Sequence, residues 1–496
     1  MFLLPSQVKT AETLAFAQGV QAETLMEIAG KAIADIVCQF HSRPGRLAVW
    51  GGKGNNAGDA LVAARILVER RWQAEFFGAF PEADLGKLAT QKLMEFREAC
   101  QSAALTFCPS SSAFVVLDGL LGIGAQGPLR PEIRTAIKEI QRLRKENGAW
   151  VLAVDIPTGL DAESGRPSTP CVEADLTATV GFVKTGLVSD SATRYVGRLA
   201  WIPLPELVAP IEGDPAQLIT PELFRTWLPP RDFDSHKGTY GRVGILAGSR
   251  NFPGAARLCV RAALRAGAGY VTLFATEELH SLIAASLPPE AILHPIQAFR
   301  EVLQQPLNAL CIGPGLGKAN RSEILEIVRE ANMPSVIDAD ALNALAADPD
   351  PKILHECRGP RLLTPHPGEF ARLAPHLARL PRREAAEAFV AEHPVTLLLK
   401  GARTVITERG QPSLFNSTGN PGMGSGGMGD TLTGVCGALL AQGLNTRQAA
   451  AIGAWLCGRA AEIAIFSRQQ SPESLLANDV SKLLGLAFTE FRTNSY

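Results

Sequence analysis

An excess of charge of one sign is missing from this chain. Its 48 Lys and Arg stand against 49 Asp and Glu, for a formal net charge of -1. With no long run of either sign, no nucleic-acid partner and no anionic membrane surface is expected. Cysteine pairs at metal-binding spacing are missing as well. The nine cysteines, an odd number, include no Cys-x-x-Cys. That argues against zinc and against a disulfide framework, and for a reducing compartment. The opening Met1-Phe2-Leu3-Leu4-Pro5-Ser6 has neither the basic start nor the long apolar core of a secretory signal. No apolar run reaches the roughly 18 residues of a membrane span. The expectation is a soluble cytoplasmic protein.

What is present is apolar residue and glycine in strand–turn–helix order. A hydrophobic fraction of 46% and a charged fraction of 20% over 496 residues can bury substantial cores, and the length predicts about two to four domains. Residues 10–40 carry helical spacing, with Leu14, Ala17, Leu25, Ile28, Ala29, Ala32, Ile33 and Ile36 on one broad face. Leu47-Ala48-Val49-Trp50 reads as a buried strand. It feeds a turn, Gly51 to Asp59, and then a helix from Leu61 to Arg71. This is nucleotide-binding grammar, with a phosphate expected at the helix start, although the spacing is not Gly-x-Gly-x-x-Gly. A strand over 113–117 ends at Asp118 and is followed by the Gly-rich Gly122 to Pro128. A third strand, Trp150 to Val154, ends at Asp155 and leads to Thr158-Gly159. Each carboxylate alone could be a helix cap. Three polar clusters on one sheet rim point to a ligand site. Asn56, Asp118 and Thr158 offer hard oxygens with one carboxylate, which suits a weakly charged hard cation better than zinc.

Prolines recur from Pro203 to Pro230, which predicts a domain at 1–212, a linker at 213–221 and a domain at 222–496. The second half repeats the grammar: strands at 243–247, 270–274, 310–312, 335–337, 362–364 and 395–399, all but the second ending in a named polar turn. A doubly wound sheet follows. Its last polar stretch, Asn416 to Gly434, is too rich in glycine for a helix or strand, and a small apolar helix follows at once. Gly426, Gly427, Met428 and Gly429 would turn bare N–H groups and the positive end of the helix dipole toward an anion, with Asp430 beside it. A donor hole with an adjacent base suits phosphoryl transfer to a hydroxyl. Lys400 would add a cation nearby. His366, between two prolines, is either structural or functional.

Asn55-Asn56-Ala57-Gly58-Asp59, Asp118 with Gly122 to Pro128, and Asp155-Ile156-Pro157-Thr158-Gly159 resemble the epimerase domain of the bifunctional NAD(P)H-hydrate repair enzymes, the YjeF family. The resemblance covers roughly 5–212 and implies a Rossmann-like three-layer domain that interconverts the R and S hydrates of NADH and NADPH (NADHX and NADPHX) at C6. It places substrate at Asn55, Asn56, Ala57, Gly58, Asp59, Gly122, Ile123, Gly124, Ala125, Gln126, Gly127, Pro128 and Asp155. It makes Asp155 the acid/base and assigns potassium to Asn56, Asp118 and Thr158. Ala57 and Ala60 stand where the family usually has Gly, and Thr158 where Ser is usual. Over roughly 222–490, Gly313 to Gly317, Pro365-His366-Pro367-Gly368-Glu369, Lys400-Gly401 and Gly426 to Asp430 resemble the ADP-dependent NAD(P)H-hydrate dehydratase domain, with a ribokinase-like α/β fold. That resemblance implies nucleotide contacts from Lys400, Gly401, Ala402, Arg403, Thr404 and Gly429. It implies substrate contacts from Ala255, Gly315, His366 and Asp430, with Asp430 catalytic and magnesium arriving with ADP. A homo-oligomer is expected. The alternative reading is a ribokinase-like vitamin-precursor kinase with a non-catalytic nucleotide-binding first module.

Overall fold

A computed structural model describes residues 1–103, 113–125, 127–209, 212–348, 352–468, 470–493 and 496. By contacts the chain divides between Leu218 and Ile219 into two compact units.

The first unit is a parallel sheet of β2 (Arg46–Gly51), β3 (Gln73–Gly78), β4 (Phe114–Gly119), β5 (Trp150–Val154), β6 (Leu176–Val180) and β8 (Arg198–Ile202). Their order is β3-β2-β4-β5-β6-β8, and every pairing is parallel. The central strands are nearly all apolar because helices cover both sheet faces. The helices are α1 (Pro5–Ala17), α2 (Ala22–Phe40), α3 (Asn55–Glu69), α4 (Lys87–Ala103) and α5 (Pro131–Asn147). In α5, Ile133, Ala136, Ile137 and Ile140 are buried at helical spacing, the amphipathic stripe a covering helix needs. Pro131 sits at its start, and Gly148, left-handed at φ 64°, ends it. A separate two-residue pair joins β1 (Phe2–Leu3) to β7 (Val183–Lys184), with Leu3 opposite Lys184.

Two expectations change here. The broad apolar face over 10–40 is two helices, and Leu14 and Ala17 are exposed near the end of α1. The turn expected from Gly51 to Asp59 closes at Gly54, and Asn55 already begins α3. The Asn pair therefore occupies a helix's first turn, where orphan N–H groups face outward.

The second unit runs β12-β11-β10-β13-β14-β15-β16-β17-β18 within one sheet. These are β10 (Arg242–Leu246), β11 (Tyr270–Thr276), β12 (Ile292–Ile296), β13 (Ala309–Ile312), β14 (Ser335–Ile337), β15 (Arg361–Leu363), β16 (Thr396–Leu399), β17 (Thr404–Glu408) and β18 (Leu414–Asn416). Pairing is parallel as far as β16 and antiparallel beyond it. The Met428–Ala441 helix is buried over most of its length because its residues are small enough for close packing on the sheet. The Thr446–Phe466 helix corrects the expectation that no segment is long and apolar enough to cross a membrane. It has 21 residues and a mean hydropathy of 1.4 over its best window, yet 89% of that window is buried inside the protein. It is a core helix, and its buried Arg459 and Glu462 pair at 2.8 Å.

Candidate functional site

In the first unit, β3 and β4 leave β2 on opposite sides. A crevice at the carboxyl ends of such strands is where open α/β sheets bind ligands. A cavity of about 1250 Å³ occupies it. Of the residues expected to hold substrate, Asn55, Asn56, Asp59, Gly122, Ile123, Gly124, Ala125, Gly127, Pro128 and Asp155 line this cavity. Gln126 lies outside the described residues.

Ala57 and Gly58 are on the inner side of α3 and do not line the cavity. Gly58 packs against Met26 of α2. Ala57 and Ala60 are fully buried. Their methyls face Gly51 and Gly119, where a Cβ would come to 3.3 and 2.7 Å. The methyls that distinguish this chain from the usual Gly therefore fill gaps left by strand glycines.

Asp155 sits directly after β5 with φ 66°, an uncommon conformation for a residue with a side chain. Its carboxylate is nine-tenths buried and accepts from Val180 N–H at 3.1 Å. It also pairs with Lys184 Nζ. Lys184 is 1% exposed and donates further to Val180 O at 2.8 Å and Thr179 Oγ1 at 3.3 Å. Burial, then the neighbouring Asp155 and Glu12 charges, hold the Asp59 carboxyl well above its ordinary range. Burial raises Glu12 of α1 as well, against the pull of Lys184. Neither Lys184 nor Glu12 is visible as a site residue in the sequence. They reach the cavity because the β1–β7 pair draws the N-terminus to the sheet's carboxyl end.

Asp118 is fully buried. It accepts from Thr158 N–H at 2.8 Å, Thr158 Oγ1 at 2.7 Å and Leu120 N–H at 3.3 Å. Asn56 Nδ2 donates to Leu121 O at 3.0 Å, and Leu121 N–H donates to Thr158 Oγ1 at 3.2 Å. Asn56, Asp118 and Thr158 are thus gathered around one loop. No ion pair reaches Asp118 among the described residues, and burial pushes its carboxyl up to about 6, against those hydrogen bonds.

In the second unit, Asp430 lies in the first turn of the Met428–Ala441 helix, whose N-cap Gly427 is left-handed at φ 88°. A side chain at Gly427 would press on Leu258 and Ala477, whereas Gly426 faces open space. Asp338, directly after β14, is 1% exposed. It accepts from Lys400 Nζ at 2.9 Å and Thr433 Oγ1 at 2.7 Å. Burial opposes its ionisation, but Lys400 and these bonds hold its carboxyl below the usual range. Lys400 also faces Glu369 at 3.8 Å. A Cβ at Gly429 would stand 3.3 Å from Lys400 Nζ and 3.5 Å from Asp338 Oδ2, so the helix start, the cation and the buried carboxylate converge. Burial first, and then the Asp338 charge, push Asp430 up to about 6.

His366 caps its own helix. Its Nδ1 accepts from Gly368 N–H at 3.0 Å and Glu369 N–H at 3.3 Å, and Glu369 Oε2 accepts from His366 N–H at 2.8 Å. An accepting Nδ1 leaves the proton of the neutral ring on Nε2, and the side chain is half exposed. The structural and functional readings of His366 are therefore compatible. Gly315, left-handed at φ 65°, approaches Ala255 and Phe252 so closely that a Cβ would come to 2.9 and 2.8 Å of theirs. Gly401, Ala402 and Arg403 form the turn from Lys400 to Thr404, the first residue of β17. Arg403 is buried there, and its carbonyl accepts from Arg382 Nη1 at 3.2 Å. The partners that sequence reasoning left without a role are Asp338 and Glu369. For Asp338, its place directly after a strand was the available signal; Glu369 lies in the first turn of the Pro367–Leu373 helix.

Two family models match the chain. One, described as NAD(P)H-hydrate dehydratase, covers residues 243–484. The other, YjeF-related protein N-terminus, covers residues 22–186. A bifunctional NAD(P)H-hydrate repair enzyme of Moorella thermoacetica is 36% identical across 93% of this chain and 91% of its own. One of Coxiella burnetii is 33% identical across 96% of each. Among solved structures, an ADP/ATP-dependent NAD(P)H-hydrate dehydratase from Bacillus subtilis, co-crystallised with ATP and Mg2+, matches with a TM-score of 0.50 and 34% identity. That match covers 55% of this chain and 98% of the other. Identity at this level over nearly the full length, with both family models in order, shows that the chain belongs to the bifunctional NAD(P)H-hydrate repair enzymes.

Proposed function

We propose that this chain restores damaged nicotinamide nucleotides in two steps. Its first unit interconverts the R and S forms of NADHX and NADPHX. Its second dehydrates the S form while ADP becomes AMP and phosphate. The observation that carries the reading is the convergence, in the second unit, of a helix start, a buried Lys400–Asp338 pair and the elevated Asp430 carboxyl.

Hydroxide is a poor leaving group, so the C6 hydroxyl is first phosphorylated. Asp430 takes the hydroxyl proton as the phosphoryl group arrives from the diphosphate. The N–H groups of Gly426 to Gly429 hold the charge that develops on it. The C6–O bond then breaks with its electrons leaving on phosphate, the ring nitrogen's lone pair assisting. Loss of the C5 proton closes the double bond. Lys400 to Thr404 and the Gly426–Gly429 turn would hold the nucleotide, and Ala255, Gly315 and His366 the hydrate. No cluster of three His, Cys, Asp or Glu that could cage a metal occurs among the described residues. Magnesium would therefore come with the nucleotide, shielding phosphate charge.

A base at about 6 sets a sign for pH. Asp430 is ionised above that value and protonated below it. Under limiting substrate, dehydration is expected to fall about tenfold per pH unit below 6 and to flatten above it. A rate–pH profile on the S hydrate checks this, and a plateau extending unbroken to pH 4 would contradict it. With S-NADHX, ADP and Mg2+, the account predicts one AMP and one phosphate per NADH. A stable phosphorylated product would favour the kinase alternative.

In the first unit, inversion requires a bond at C6 to break and re-form on the opposite face, with a proton delivered and taken back. Asp155 is the exchanging group, and Lys184 positions it. Asn56, Asp118 and Thr158 would hold potassium, which would supply the counter-charge that Asp118 otherwise lacks. The folded pKa of Asp118 is raised, so the apo fold binds its proton more tightly than the unfolded chain does. The stability this gives is present at low pH and is lost as pH rises from about 4 to about 6. A bound cation reverses that loss. Potassium is expected to raise the melting temperature of the first unit by several degrees at pH 8 and by little at pH 5. Calorimetry in KCl against an equal concentration of a bulky organic chloride tests it. An equal rise at both pH values would contradict the site.

A further inference from the structure

The first unit's cavity is lined by cations and carboxylates together, Lys9, Asp161 and Glu163 among them. Asp59, Asp155, Glu12 and Lys184 line it too, and Lys184 is committed to Asp155. Lys53, Phe80 and Arg130 are also part of the wall. Lys53 Nζ lies 4.4 Å from the centre of the Phe80 ring, and the Arg130 guanidinium lies 5.9 Å from it. One ring thus meets two cations from different loops, by the attraction of positive charge to an aromatic face. Lys53 precedes α3, and Arg130 is the N-cap of α5.

These cations are available to a ligand. Arg130 is exposed and makes no ion pair among the described residues. Lys53 meets Asp84 at 2.5 Å, but both side chains are more than a third exposed, and surface pairs of that kind hold weakly. Two cations around a ring suit a compact phosphomonoester dianion. The bridging pyrophosphate has another place to go, at the N–H groups that begin α3.

We infer that Lys53 and Arg130, held by Phe80, form a subsite for the terminal phosphomonoester that NADPHX carries and NADHX lacks. The subsite makes the first unit read which of the two hydrates it holds. This rests on the proposed epimerase activity of the same cavity.

The test uses the full chain without ADP, so that dehydration is silent. Pure R-NADPHX and R-NADHX are converted separately, and S formation is followed by chromatography over the uncatalysed exchange. In the Lys53→Gln/Arg130→Gln double variant, the ratio of kcat/KM for NADPHX to that for NADHX is expected to fall about tenfold or more. In the unmodified chain, added salt should raise KM for NADPHX more steeply than KM for NADHX. An unchanged ratio with equal salt slopes overturns the subsite while leaving the epimerase reading standing. Absence of exchange in the unmodified chain overturns both. A melting curve shows that the double variant is folded, and Phe80→Leu, which releases both cations, should shift the ratio in the same direction.

Discussion

Asp430→Asn is expected to lower dehydration of the S hydrate by about 10³-fold, the usual scale for removing a positioned base. Exchange between R and S should continue at its former rate. The variant keeps the shape of the side chain but cannot accept the hydroxyl proton. Its neighbours are prepared for the loss of charge, because Asp338 keeps its own partner in Lys400 at 2.9 Å. The second unit should therefore stay folded, and its nucleotide affinity should change little or rise as a like charge near the phosphates is removed. Assays of NADH return, of epimer exchange and of ADP binding on one preparation separate these effects. Loss of exchange together with dehydration would count against two independent sites.

Asp155→Asn is expected to do the reverse, with a structural cost that Asp430→Asn does not carry. Exchange should fall by about 10³-fold while the S hydrate is still dehydrated. Lys184 is 1% exposed, and its carboxylate partner would be gone. Leaving one member of a buried pair unpaired costs roughly 3–5 kcal/mol. The first unit should therefore melt markedly lower. Adding Lys184→Met removes the stranded charge and should recover most of that stability without recovering exchange. Denaturant melts and exchange assays on the single and double variants give the cycle. Recovery of exchange in the double variant would show that Asp155 serves only to neutralise Lys184.

Local patterns made the fold class readable. Strands such as Leu47–Trp50 and Leu397–Leu399 are short apolar runs, and each ends in a polar turn because ligand groups belong at that rim. The repair-enzyme family was legible in the same turns. The long-range parts were not. Lys184 and Glu12 enter the first site through a pair of two-residue strands, too short to leave any periodic signal. The start of α3 was misplaced because Asn and Gly favour turns, whereas here Asn55 and Asn56 begin a helix whose inner face is packed with alanine and glycine. Leu14 looked like core because it keeps helical spacing with residues of α2, although a break near Gly19 separates the two helices. The roles of Asp338 and Glu369 depend on where Lys400 lands, and spacing along the chain does not give that distance.

The most direct test of the account uses a mixture of R- and S-NADHX with ADP, Mg2+ and K+, following NADH absorbance to its end point. Two working units predict conversion of the whole mixture, with AMP equal to NADH. Conversion that stops at the S fraction, once uncatalysed exchange is subtracted, would contradict an active first unit. No conversion with either ADP or ATP would contradict the repair function itself.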